Sequence, residues 1–184
     1  SLWFSLSLTF SLTVSRYNTT KPLKPSVGEF SMVVADTRNG RLLVNGRQNM
    51  GHKTKSRQNY WSSDGGLSWD GPHDSGLKGA VSDNGSGCEA SITNVNNVLY
   101  FFNPSGGGPG DHPSRTNMQV QCSKDNGKSW KSSYKVTTTT EGGYSDIMGV
   151  SGGKLLLVWG IGDSNAKNPK RNMYAQTIDT NWCK

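Results

Sequence analysis

One eight-residue pattern occurs twice in this chain, as SSDGGLSW at 62–69 and as SKDNGKSW at 123–130. Both read Ser-x-Asp-x-Gly-x-x-Trp, and the second begins 123 − 62 = 61 residues after the first. Self-similarity at a long, regular spacing marks stacked supersecondary units, and that restricts the fold more than any other feature here. The pattern describes a turn closed by its own side chains. Asp64 and Asp125 are suited to accept nearby backbone N–H bonds. Gly66 and Gly127 suit a backbone with positive φ. Trp69 and Trp130 are predicted to bury their rings between neighbouring units. The two aspartates are therefore assigned to structure, not to chemistry.

A wider frame shows three units. EFSMVVADTRNGRLLVNGR leads to KSRQNYWSSDGGLSW, EASITNVNNVLYFFNPSG leads to SRTNMQVQCSKDNGKSW, and YSDIMGVSGGKLLLVWGIG leads to KRNMYAQTIDTNW. Each is a strand, a Gly/Asn turn, an apolar strand, a loop and a third strand of alternating pattern. The starts at Glu29, Glu89 and Tyr144 are 60 and 55 residues apart, and the third unit lacks the Asp pattern but keeps Trp182. Four-stranded units repeated in this way predict blades of a β-propeller. Three blades do not close a ring. The expectation is an all-β chain equivalent to the C-terminal half of a propeller, with three blades over 29–184 and residues 1–28 as the remnant or replacement of an earlier blade.

Composition agrees with this class. With 23 glycines among 184 residues and a mean hydropathy of −0.63, the chain suits short strands joined by turns, and no long segment of period 3.6 stands out. The net charge of +7 favours anionic partners. The basic residues are scattered, without a helix-turn-helix, finger or RNA-binding signature, so nucleic acid is excluded as the expected partner. Phe4, Leu6, Leu8, Phe10, Leu12 and Val14 alternate with Ser and Thr. This is a strand pattern, unlike a signal peptide or a membrane span. Cys88, Cys122 and Cys183 include no CxxC spacing, which argues against a metal cluster and leaves open one disulfide with a free thiol or three free thiols. The triplets at Asn18 and Asn84 fit N-glycosylation and lean toward a secreted or lysosomal location, which the sequence otherwise leaves unknown.

What stands between the repeats resembles the sialidases (neuraminidases), six-bladed propellers with repeated Asp boxes. GRLLVNGRQN at 40–49 is similar to the family's strand that ends in a substrate-binding arginine. Residues 88–130 resemble the next blade, with a second such arginine, and GGYSDIMGV at 142–150 resembles the nucleophile strand. The likeness runs over roughly residues 28–184, in the family's order. It implies a partial sialidase-type propeller in which Tyr144 is the catalytic tyrosine, Glu29 its partner glutamate, and Arg47 and Arg115 two of the three arginines that hold the substrate carboxylate. Counterparts of the first arginine and of the acid/base aspartate are not found, since Asp36, Arg38 and Arg41 follow Glu29. Near the site, Glu89 is placed as a pocket-lining residue, Asp146 as a turn cap, and Trp159, His112 and the loop 103–115 on the aglycone side.

The chemistry fits these residue types. Sialidases are an exception among retaining glycosidases in attacking with tyrosine. A carboxylate nucleophile would be repelled by the substrate's own carboxylate. A neutral phenol is not, but its pKa of about 10 makes it a weak nucleophile until a base takes its proton. Arginine supplies a permanent, bidentate partner for a carboxylate. The implied activity is exo-α-sialidase action with retention on sialylated glycoproteins, glycolipids or oligosaccharides, without metal or organic cofactor. The alternative is a non-catalytic Asp-box propeller that binds sialylated glycans or a protein partner.

Overall fold

The computed structural model describes residues 27–48, 56–77, 88–105, 117–137, 143–161 and 172–184. Each unit starts with a strand that reverses through residues able to adopt the left-handed region. Strand β1 (Val27–Asp36) returns as β2 (Arg41–Gln48), with Gly40 at φ 70°. Strand β5 (Ser91–Val95) returns as β6 (Val98–Pro104) through Asn96 and Asn97, at φ 55° and 62°, the two-residue hairpin for which Asn is favoured. Strand β9 (Ser145–Val150) returns as β10 (Lys154–Ile161).

Adding β3 (Gln58–Ser62), β4 (Asp70–Asp74), β7 (Met118–Ser123), β8 (Ser132–Lys135) and β11 (Asn172–Asp179) gives three sheets, ordered β1-β2-β3-β4, β5-β6-β7-β8 and β11-β10-β9. All pairings are antiparallel and remain within one unit. Among the described residues there is no helix, and the third sheet has three strands where the repeat predicted four.

The middle sheet explains the packing. β6 reads VLYFFNP, an almost unbroken apolar run, because both of its faces are covered. Leu99 and Phe101 join Ala35, Leu43 and Trp61 of the first sheet. Tyr100 and Phe102 join Ile147, Leu155 and Leu157 of the third. Polar groups fasten the first interface as well: Asn94 Nδ2 donates to Val34 O at 2.7 Å, and Thr37 N donates to Asn97 Oδ1 at 2.9 Å. On the outer faces, Phe30 and Met32 of the first sheet and Met148 and Met173 of the third are exposed. Cys122 and Cys183 form a disulfide with an S–S distance of 1.99 Å, and Cys88, outside the disulfide, is buried.

The repeated corners close as their sequence predicts. Asp64 accepts from Ser68 N at 2.9 Å and from Ser62 Oγ at 2.8 Å. Asp125 accepts from Ser129 N at 2.8 Å and from Ser123 Oγ at 2.7 Å. The tryptophans differ from expectation, since Trp69 and Trp130 are half-buried. Trp69 folds back on its own turn, its Nε1 donating to Gly66 O at 3.1 Å. The buried indole of the first unit is Trp61, whose Nε1 donates to Asn126 O in the second corner at 3.0 Å. Asp36, one of the residues that follow Glu29, is a corner anchor: the hydrogen bond from Arg38 holds its carboxyl at about 2.

Candidate active site

Glu29 lies on β1 and Arg47 opposite it on β2, where the pairing slips between Val27↔Gln48 and Phe30↔Gly46. Such an irregularity re-aims side chains at a sheet's end. Arg47 Nη1 donates to Glu29 Oε2 at 2.5 Å. Tyr144 immediately precedes β9 in the third sheet, and its hydroxyl donates to Glu29 Oε1 at 3.2 Å. One carboxylate therefore joins Arg47 and Tyr144, although Tyr144 is 115 residues away from Glu29. The Arg47 side chain is 19% exposed and that of Glu29 40%. Tyr144 is 57% exposed, so its ring is open to a ligand. The resemblance put Arg47 at the end of its strand, and it is the next-to-last residue of β2.

Local structure fixes the tyrosine. Gly160 N donates to Tyr144 O at 3.0 Å. A Cβ at Gly143 would stand 2.7 Å from Gly160 O, so the residue before Tyr144 must be glycine for the strands to approach. Ser145 N donates to Glu89 Oε2 at 2.9 Å, and Ser145 Oγ donates to Phe102 O at 3.1 Å. Glu89, half-buried just ahead of β5, thus reaches the third sheet from the second. Burial pushes its carboxyl above the usual carboxylate value. Asp146 accepts from Ser91 Oγ at 2.6 Å and from Ile147 N at 2.9 Å, a strand-fastening role.

Beneath these residues lies Arg57, which the sequence did not single out. It is buried, its Nε bonds Asn45 Oδ1, and its Nη1 donates to Cys88 O at 2.8 Å. Burial lowers its pKa to about 10, which leaves it a cation at neutral pH. The one available signal was Asn45, a polar residue that directly follows the apolar run 42–44 of β2 and is buried. Arg115, His112 and most of the loop 103–115 lie outside the described residues, as do Asn18 and Asn84. Trp159 is not at a site surface. It is buried edge-on against Phe102 with centroids 5.9 Å apart, and Tyr174 stacks on it at 5.7 Å. Among the described residues no group of three or more His, Cys, Asp or Glu is placed to hold a metal ion.

Comparison with known proteins places this arrangement. The profile of the BNR repeat-like domain matches residues 4–157, most of the chain, and the protein belongs to that family. Its three sheets are blades of a sialidase-type propeller. A mutant of NanB sialidase from Streptococcus pneumoniae superposes with a TM-score of 0.63 at 16% identity, over 83% of this chain and 23% of that one. A mutant of Trypanosoma rangeli sialidase displaying trans-sialidase activity gives 0.55 at 17% identity, over 79% and 22%. The Penicillium chrysogenum α-L-arabinanase complexed with arabinobiose gives 0.50 at 18%, over 76% and 41%. The chain thus spans under a quarter of the two sialidase chains, and at these identities the likeness defines the fold, a glycosidase-like propeller. A search of curated protein sequences gave no match.

Proposed function

We propose that the chain carries the nucleophile half of a retaining exo-α-sialidase site, with Tyr144 as nucleophile, Glu29 as its base, and Arg47 and Arg115 as partners of the substrate carboxylate. The observation that carries this reading is the single Glu29 carboxylate shared by Tyr144 and Arg47 across the first and third blades. A phenol bonded to a carboxylate is a nucleophile with its base in place. In the reaction, the Tyr144 oxygen bonds to the anomeric carbon while its proton passes to Glu29. The glycosidic C–O bond breaks, and the leaving oxygen takes a proton from a general acid for which the sequence offers no counterpart. Water, giving one proton to the conjugate base of that acid, then cleaves the tyrosyl intermediate, and Tyr144 regains its proton from Glu29. Two inversions give net retention. The substrates are terminal sialic acids of glycoproteins, glycolipids or oligosaccharides. In this reading residues 29–184 form the three blades, and residues 1–28 stand for an earlier one.

A second reading is a non-catalytic propeller that binds sialylated glycans, favoured because the sequence offers no counterpart of the family's acid/base aspartate. An aryl sialoside separates the two, because a phenolate leaves with little protonation. General acid catalysis is typically worth about 10²–10⁴ in rate, so alkyl sialosides are expected to react far more slowly with this chain. Aryl sialoside cleavage that falls at least a hundredfold in Tyr144→Phe supports the nucleophile. Sialic acid binding without any cleavage supports the binding reading, and cleavage unchanged in Tyr144→Phe refutes the assignment.

A further inference from the structure

We propose that Glu89 is a positioning residue for the Tyr144–Glu29 pair, held in place by the buried Arg57; this rests on the catalytic reading of that pair. Strand β9 is at the edge of its sheet, paired only with β10, so its outward amides need other acceptors. The Tyr144–Ser145 peptide is pinned at both polar ends. Its carbonyl accepts from Gly160 N at 3.0 Å, and its N–H donates to Glu89 Oε2 at 2.9 Å. The Glu89 bond is the one that comes from a different blade.

Glu89 is in turn tied to the first blade. The carbonyl just before it, Cys88 O, accepts from Arg57 Nη1 at 2.8 Å. Arg57 Nε bonds Asn45, and Asn45 lies two residues before Arg47 on β2. Asn45 Nδ2 donates to Asn59 Oδ1 at 2.7 Å, which fixes the base of this path. A line of hydrogen bonds, joined by the Cys88–Glu89 chain segment, therefore runs from the strand of Arg47, through the second blade, to the peptide of Tyr144. Arg57 is also the main positive neighbour of the Glu89 carboxylate, and a bond to a charged acceptor is stronger than one to a neutral acceptor. The requirement is geometric: a nucleophile displaced by about 1 Å can lose a hundredfold in rate.

The test compares Glu89→Ala, which removes the acceptor, with Glu89→Gln, which keeps an oxygen at its place. Amide hydrogen exchange measured by NMR should quicken at least tenfold at Ser145 in the Ala variant, stay within twofold at Leu157 in the centre of the same sheet, and return toward the parent rate in the Gln variant. The ring resonances of Tyr144 should shift on Glu29→Gln in the parent and lose that response in the Glu89→Ala background. With an aryl sialoside, Glu89→Ala should lower kcat about 10- to 100-fold at nearly constant KM. Unchanged Ser145 exchange, or a Tyr144 response to Glu29→Gln that persists in full, overturns the proposal. If Glu89→Ala loosens the whole sheet, a Gln variant exchanging as fast as the Ala variant at Ser145 overturns it equally. Failure of the catalytic reading would look different: Tyr144→Phe would keep its activity while the exchange and resonance results stood.

Discussion

The corner at 62–69 and the corner at 123–130 make the same internal bonds in different surroundings. In each, a serine and an aspartate bind the turn's own amides. The second corner also closes an interface. Asn126 O accepts the Trp61 indole and Gly127 O accepts Asn59 Nδ2 at 3.0 Å. A Cβ at Gly127 would come within 2.7 Å of the Leu43 side chain. The residue just before this corner, Cys122, carries the disulfide. The first corner has none of these cross-blade bonds among the described residues, and a Cβ at Gly66 would meet nothing nearer than 3.5 Å. A self-locking turn is thus a complete local structure, and its contribution to the fold depends on what the neighbouring blade places against it.

Three perturbations test that contrast, in falling order of expected size. Replacing Cys122 and Cys183 together with Ser opens a linkage between residues 61 apart, and chain entropy puts the loss at roughly 4 kcal/mol. Denaturant unfolding of both forms measures it, and a loss below 1 kcal/mol would show that the bridge adds little behind the second corner. Next, Gly66→Ala and Gly127→Ala both impose left-handed strain, since the parent φ values are 92° and 84°, at about 1–2 kcal/mol each. Gly127→Ala adds overpacking against Leu43, about 1–3 kcal/mol more. Equal losses in the two variants would remove the distinction between the corners.

The third and smallest effect is acid sensitivity, which the corners should share. Hydrogen bonds from Ser68 hold the Asp64 carboxyl well below the usual carboxylate range. Burial pushes Asp125 up, but bonds from Ser129 and Ser123 outweigh it and leave the carboxyl lowered. Each carboxylate binds its proton more weakly in the folded chain than in the unfolded one. Their stabilisation is therefore full above the ordinary carboxylate pKa of about 4 and is lost as pH falls through the lower folded values. Melting temperatures from pH 5 down to pH 2 should fall less steeply for Asp64→Asn and Asp125→Asn than for the parent, though both variants start lower at pH 7. A parallel pH slope would mean that the corners are not held by the ionised side chains.

The sequence made the within-unit structure legible because that structure is set by short-range patterns. Alternation defined the strands, Gly and Asn defined the reversals, and the aspartates locked their own turns. Tyr144, Glu29 and Arg47 were found through the family resemblance, and the structure brings those three side chains into contact. What stayed hidden depends on contacts between blades. Nothing local distinguished Trp61 from Trp69 as the buried indole, because burial follows from which face meets the second blade. Cys122 and Cys183 pair because the end of the chain returns to β7. Arg57 reads as an ordinary basic residue at a strand start, yet Asn45 and the Cys88 carbonyl enclose it. The fourth strand expected in the third blade has no counterpart among the described residues.

The central claim is that blades one and three together build a site for an anionic sugar around Glu29, Arg47 and Tyr144. Calorimetric titration of the chain and its Arg47→Ala variant with sialic acid, alongside arabinobiose as a neutral sugar, tests it most directly. Loss of one charged hydrogen-bond partner, worth about 1.5–3 kcal/mol, predicts affinity for sialic acid that drops roughly 10- to 100-fold in the variant, with little binding of arabinobiose to either form. Equal sialic acid affinity in both forms, or tighter binding of arabinobiose than of sialic acid, would contradict the account.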